Sequence, residues 1–158
     1  MSTDTRVSVA VQSAPFDLAH EFEQFRLRCD GAGAVVSFVG MVRDMNLSEG
    51  VQALELEHYP GMTQKSLCQI ALDAVLRWQL QSVRLIHRVG LLLPGDPIVL
   101  VLTASAHRQA AYEASEYIMD YLKSEAPFWK KEWTAQGARW LSQRQSDQSA
   151  LLRWRDAA

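Results

Sequence analysis

Between two strand-like runs, Ser82 to Val89 and Ile98 to Ala104, the chain carries Pro94-Gly95-Asp96-Pro97. It is the strongest turn signal in the sequence: proline presets φ, glycine accepts positive φ and aspartate bonds its own backbone. Several other strand-to-strand links are short as well. Parallel strands need a crossover of about a dozen residues or more, so much of the sheet must be antiparallel.

The rest of the pattern supplies strands and helices in mixed order. Arg6 to Val11 alternates, with Val7, Val9 and Val11 on one face, and predicts a strand that Pro15 ends. Asp17 is placed to cap a helix on which Leu18, Phe22, Phe25 and Cys29 recur at helical spacing, broken by Gly31 and Gly33. Ala34 to Val42 is apolar and β-branched and predicts a buried strand. Arg43 to Gly50 is polar and predicts a mobile loop. Val51 to His58 alternates and predicts a strand, then Tyr59-Pro60-Gly61 turns into an amphipathic helix over Thr63 to Trp78. A second long helix is expected from Ser105 to Lys123, stopped by Pro127, then a strand over Phe128 to Trp133. Gly137 marks a turn, and Asp147 to Trp154 a last short helix. The sum is about six or seven strands and three or four helices, an α+β fold.

The chain has 158 residues and predicts a single domain over 1–158, less defined from about residue 145. Its net charge of −2 argues against a general nucleic-acid binder, so any cationic site must be local. Cys29 and Cys68 fit no zinc spacing and read as buried free thiols. The opening MSTDTRVSV lacks the apolar core of a signal peptide, and no apolar run is long enough to span a membrane. A cytoplasmic location is expected.

Three places can hold chemistry. Ser105-Ala106-His107-Arg108 joins a strand to a helix start, where free N–H groups favour anions and Arg108 offers a planar fork. The competing reading has His107 as a cap and Arg108 solvated. Lys123 ends the long helix, where a cation also suits the dipole without any function. Lys130 and Lys131 face opposite ways in a strand, Lys130 sharing its face with Glu132. A lysine held near other cations binds its proton less tightly and becomes a usable base or nucleophile; the competing reading is a solvated lysine. Arg43 stands at the mouth of the polar loop. No nucleophilic Ser or Cys motif, phosphate-binding Gly-rich loop or metal-ligand cluster is present. His20 reads as a surface residue, His87 as a strand residue and His58 as a structural anchor of the turn that follows it.

Four stretches carry more: GMVRDMN from Gly40, LEHYPGMT from Leu56, TASAHR from Thr103 and IMDYLKSEAPFWKKE from Ile118. In order and spacing they resemble the large catalytic subunit of molybdopterin synthase, over about Gly33 to Arg144. The resemblance implies an α/β hammerhead-type fold with a mostly antiparallel sheet flanked by helices. It implies a sulphurtransferase of molybdenum cofactor biosynthesis, with no resident cofactor or metal. Sulphur would pass from the C-terminal thiocarboxylate of a small ubiquitin-like subunit ending in Gly-Gly to a cyclic pyranopterin monophosphate (precursor Z), forming a dithiolene. A dimer of the large chain within a heterotetramer is also implied. Lys123 and Lys130 match the essential lysines, and Arg43, His107 and Arg108 the substrate pocket. Met41, Val42, Lys131 and Glu132 lie beside them, with Glu132 expected to orient Lys130 or Lys131. Arg144 matches an arginine that reaches across the dimer. Together these side chains are expected to line one recess. A docking module for a ubiquitin-like protein, without chemistry, is the alternative; a sensor of a phosphorylated metabolite is a third reading.

Overall fold

The computed structural model describes residues 4–43, 51–141 and 145–155. Alternating valines make β1 (Val7–Gln12). Asp17 accepts the His20 amide at 3.1 Å and opens α1 (Leu18–Arg26). There follow β2 (Ala34–Met41), β3 (Val51–His58) and α2 (Met62–Trp78). Next come β4 (Ser82–Arg88), β5 (Gly90–Leu92) and β6 (Pro97–Ser105). The long helix α3 (Arg108–Glu125) leads to β7 (Phe128–Thr134), β8 (Gly137–Leu141) and the short helices α4 (Gln145–Ala150) and α5 (Leu152–Arg155).

The strands form two four-stranded sheets. The first has the order β1-β4-β6-β2, the second β5-β3-β7-β8. Among the described residues every pairing is antiparallel except β1 with β4, which starts at Val7 opposite Val83. The Pro94–Pro97 turn works as expected: Gly95 takes φ +89 and Asp96 accepts the Leu93 amide at 2.8 Å.

β6 is apolar on both faces because both are covered. Val99 and Val101 join the core beneath α2 and α3, with Leu67, Ala71, Ile118 and Leu122. Leu100, Leu102 and Ala104 point the other way, into a core with Phe25. A third cluster, Val42, Leu56, Val89 and Leu92, joins the two sheets.

Several expectations need correction. β2 is not buried: it ends the first sheet, paired on one side only, and leaves Phe38 and Met41 exposed. α3 starts at Arg108 because Ser105 is still paired with Ala34 and His107 is extended. Two strands escaped the pattern: β5 in the Leu91-Leu92-Leu93 run, and β8, whose Ala138-Arg139-Trp140-Leu141 lacks alternation. The expected final helix is two short ones. Residues 44–50 of the polar loop lie outside the described residues.

α5 is fastened by Trp154. Its indole donates to Asp120 at 2.7 Å and meets Trp78 and Tyr117 edge-on, with Arg77 over all three rings. Trp154→Phe keeps most of the ring packing but strands the half-buried Asp120 carboxylate. The expected loss is about 1–2 kcal/mol of unfolding free energy, read by urea denaturation; an unchanged midpoint would show that the indole bond contributes nothing.

Candidate active site

β6 runs through Ala106-His107 into α3, which folds back across the same sheet. The Thr103 hydroxyl donates to the Ala111 carbonyl at 2.8 Å and fixes the helix's start over the end of β6. α3 has 18 residues. At about 1.5 Å per residue, Arg108 and Lys123 stand about 22 Å apart along its axis. The candidate side chains therefore fall into two groups, one at each end of the first sheet, and do not meet in one recess within a single chain.

At the first end are His107 and Arg108, both exposed. The His107 side chain makes no capping bond, and the first turn of α3 holds no acidic residue. The orphan N–H groups and the Arg108 guanidinium thus add up with little opposition, as suits an anion. They border an open depression of about 770 Å³ with Gly33, Gln109, Tyr112 and Glu113. Gly33 shapes it. A Cβ there would lie 2.2 Å from the Ala106 carbonyl oxygen, and the Gly33 amide donates to Ser105 at 2.9 Å. Gly33→Ala must push β2 off this junction, at a cost of about 1–3 kcal/mol. Chemical denaturation measures it; a loss under about 0.5 kcal/mol would mean that the junction shifts freely.

At the second end, β2, β4 and α3 finish and β6 begins. Val42 is buried, and its backbone is tied to the 94–97 turn by bonds to Asp96 and Gly95 of 2.9 and 2.8 Å. This fixes where Arg43, exposed, leaves the sheet. Met41 is exposed beside it. Lys123 stands in the last turn of α3. Lys130 stands in β7 opposite Leu56, on the side of that strand that also carries Phe128 and Glu132.

His87 lies between these elements, only 5% exposed. It shares a face of β4 with Val83 and Leu85 and stacks on Phe128, ring centroids 4.0 Å apart. Its Nδ1 is 2.8 Å from the Arg88 carbonyl. A carbonyl only accepts, so Nδ1 carries the proton. Burial pushes the imidazole down to about 4; the Arg88 carbonyl opposes this, while Lys130, Lys123 and His58 push the same way. The positive charges of Lys130 and Lys123 are thus among the groups that disfavour the protonated ring.

Of the two lysines expected beside Glu132, only Lys130 shares its side of β7. Lys131 faces the outside of the second sheet, 3.7 Å from Glu57, 3.9 Å from Glu55 and 4.4 Å from the centre of the Trp140 ring. Glu132 faces the other way, 3% exposed, and accepts from Arg139 at 3.0 and 2.9 Å. It cannot orient Lys131, because neighbouring strand residues point to opposite faces. Arg144 lies outside the described residues. Among the described residues no group of three His, Cys, Asp or Glu could hold a metal.

Sequence reasoning gave His87 and His58 no part in the site and passed over Arg139. The signal for His87 was its place in the alternation: positions 83, 85 and 87 share one face, and a histidine on a core face is a buried polar group that needs a partner.

The MoaE protein family model matches residues 11–125. The chain is 57% identical to a molybdopterin synthase catalytic subunit of Vibrio cholerae, over 92% of this chain and 97% of that one. A MoaE protein structure from Burkholderia ambifaria superimposes with TM-score 0.82 at 49% identity, covering 94% and 97% of the two chains. At 19% identity and TM-score 0.71 the fold recurs in a complex of subunits 1 and 2 of the Helicobacter pylori molybdopterin-converting factor, covering 89% and 92%.

Proposed function

The chain belongs to the MoaE family, the molybdopterin synthase catalytic subunits, and is a sulphurtransferase of molybdenum cofactor biosynthesis; we propose that Lys123 and Lys130 carry the transfer. The observation behind this is the placement of both lysines at one end of the first sheet, Lys123 in the last turn of α3 and Lys130 in β7 two residues from Phe128, which stacks on the buried His87 ring. The reactants are a pterin phosphate and a thiocarboxylate tail. Two such anions about 4 Å apart repel by about 4 kcal/mol at an effective dielectric of 20. Fixed ammonium groups offset that repulsion and stabilise the oxyanion formed as sulphur leaves the acyl carbon. Lys130 would serve charge stabilisation and proton transfer at the carbon receiving sulphur. Lys123 would orient the tail and stabilise its acyl intermediate.

Arg43, His107 and Arg108 would hold the pterin phosphate. Because His107 and Arg108 stand about 22 Å along α3 from Lys123, one substrate can engage both groups only if they come from two copies. A dimer of this chain supplies them, with Arg144 reaching across in the same way. The sulphur donor would be a small ubiquitin-like subunit ending in Gly-Gly, docked at each lysine end to give a heterotetramer. The chemistry calls for no resident cofactor. No helix among the described residues is long and apolar enough to cross a membrane, and Cys29 and Cys68 are free thiols; the proposal includes a cytoplasmic location.

The test is reconstitution. The chain is mixed with cyclic pyranopterin monophosphate and the small subunit, either thiocarboxylated or with an ordinary carboxylate tail. Dithiolene product is expected only with the thiocarboxylate. Binding of the small subunit without product would favour a docking module instead.

A further inference from the structure

His87 has one hydrogen-bonding capacity that no backbone group takes up. Its Nδ1–H is given to the Arg88 carbonyl, and a neutral imidazole then keeps a lone pair on Nε2. The ring cannot turn to spend that lone pair elsewhere. Phe128 covers one face at 4.0 Å and 23°, and the side chain is buried. Nε2 points away from the Arg88 carbonyl, across the ring from Nδ1.

Lys130 comes from the strand that carries the Phe128 ring against His87. Phe128 and Lys130 are two apart on one side of β7, opposite His58 and Leu56. Their Cβ atoms are thus about 7 Å apart, so the Lys130 stem starts beside the ring that covers His87. Lys123 comes from the last turn of α3 on the core side of the first sheet, the side that His87 shares with Val83 and Leu85. The charged or titratable groups acting on the ring are Lys130, Lys123 and His58, and the carbonyl that holds it is that of Arg88.

Resting on the reading of Lys123 and Lys130 as the transferring lysines, we propose that His87 is their positioning residue: its Nε2 lone pair accepts a hydrogen bond from a lysine ammonium and holds that ammonium toward the reactants. A neutral acceptor suits this task. A carboxylate in its place would orient the lysine but cancel the charge that the anionic reactants need. Burial keeps the ring neutral at working pH, so it aims the ammonium without adding repulsion.

The experiment compares His87→Asn with His87→Gln in the assembled enzyme, supplied with thiocarboxylated small subunit and pterin substrate. Asparagine can still donate to the Arg88 carbonyl but leaves the Nε2 position empty. Glutamine places an amide oxygen near that position. His87→Asn is expected to lower kcat about 10- to 100-fold, with KM for the pterin nearly unchanged. Its basic pH limb should also move to lower pH, because the ammonium loses an acceptor that favours its charged form. His87→Gln should recover most of the turnover. Equal losses in both, in step with their melting temperatures, would make His87 a packing residue and overturn the proposal.

Lys123→Ala and Lys130→Ala run in parallel separate this from the reading beneath it. If both lysine variants are inactive while His87→Asn turns over normally, only the positioning role fails. If both lysine variants are active, the lysine reading itself fails. Should His87→Asn not fold, the nitrogen chemical shift of Nε2 in the parent decides: it should change in Lys130→Met or Lys123→Met, and an identical shift in both refutes the bond.

Discussion

Lys130→Ala is expected to slow sulphur transfer by about two to three orders of magnitude, the usual cost of removing one preorganised donor to a developing oxyanion. Its unfolding free energy should stay within about 0.5 kcal/mol of the parent, as for an exposed side chain away from the core. The separation of the two effects carries the argument. Lys130 is exposed, while the fold of β7 rests on its pairing with β3 and β8 and on buried neighbours such as Leu56 and Leu92. Lys123→Ala should behave alike, and the double variant should lose less than the product of the single losses, because groups serving one transition state act as a unit. Single-turnover dithiolene formation, with a thermal melt of each variant, tests this. Near-normal turnover in both single variants would end the catalytic assignment.

Acid should destabilise the fold through His87, and the sign can be worked out. The imidazole titrates near 4 in the folded chain and near about 6.5 when unfolded. The folded state therefore holds the neutral ring and the unfolded state binds the proton more readily. The stabilisation is fully present above about pH 6.5, fades as pH falls and is gone by about pH 4. At about 1.4 kcal/mol per tenfold in proton affinity, the loss is about 3 kcal/mol. Asp120, whose carboxyl is pushed up by burial, works the other way. Urea titrations between pH 7 and 4 should show the fall, and His87→Asn should flatten it. An equally steep fall in that variant would place the acid sensitivity elsewhere.

The fold class and most element cores were legible because burial here follows simple periods. β3 matches its expected bounds, Val51 to His58, since Leu54, Leu56 and His58 alternate with Glu55 and Glu57, even though its register against β7 shifts between Val51 and Ala53. β6 could be read as buried but not as two-faced, because a continuous apolar run does not say what covers each side. β2 has much the same composition yet lies at a sheet edge; strand order is a long-range property that local pattern does not encode. At the site, the joined words around Lys123 and Lys130 pointed to both lysines. The histidine between them was hidden: His87 and Phe128 are 41 positions apart and meet only through the packing of β4 against β7. The separation of His107 and Arg108 from Lys123 needed only the length of α3, which the sequence already contained.

The one parallel pairing among the described residues bears on how the chain folds. β1 is synthesised before its partner β4, which begins only at Ser82. Until β4 has followed, β1 lacks the strand it pairs with, and closing so wide a loop is entropically slow. Docking of β1 is thus expected to be a late step in folding.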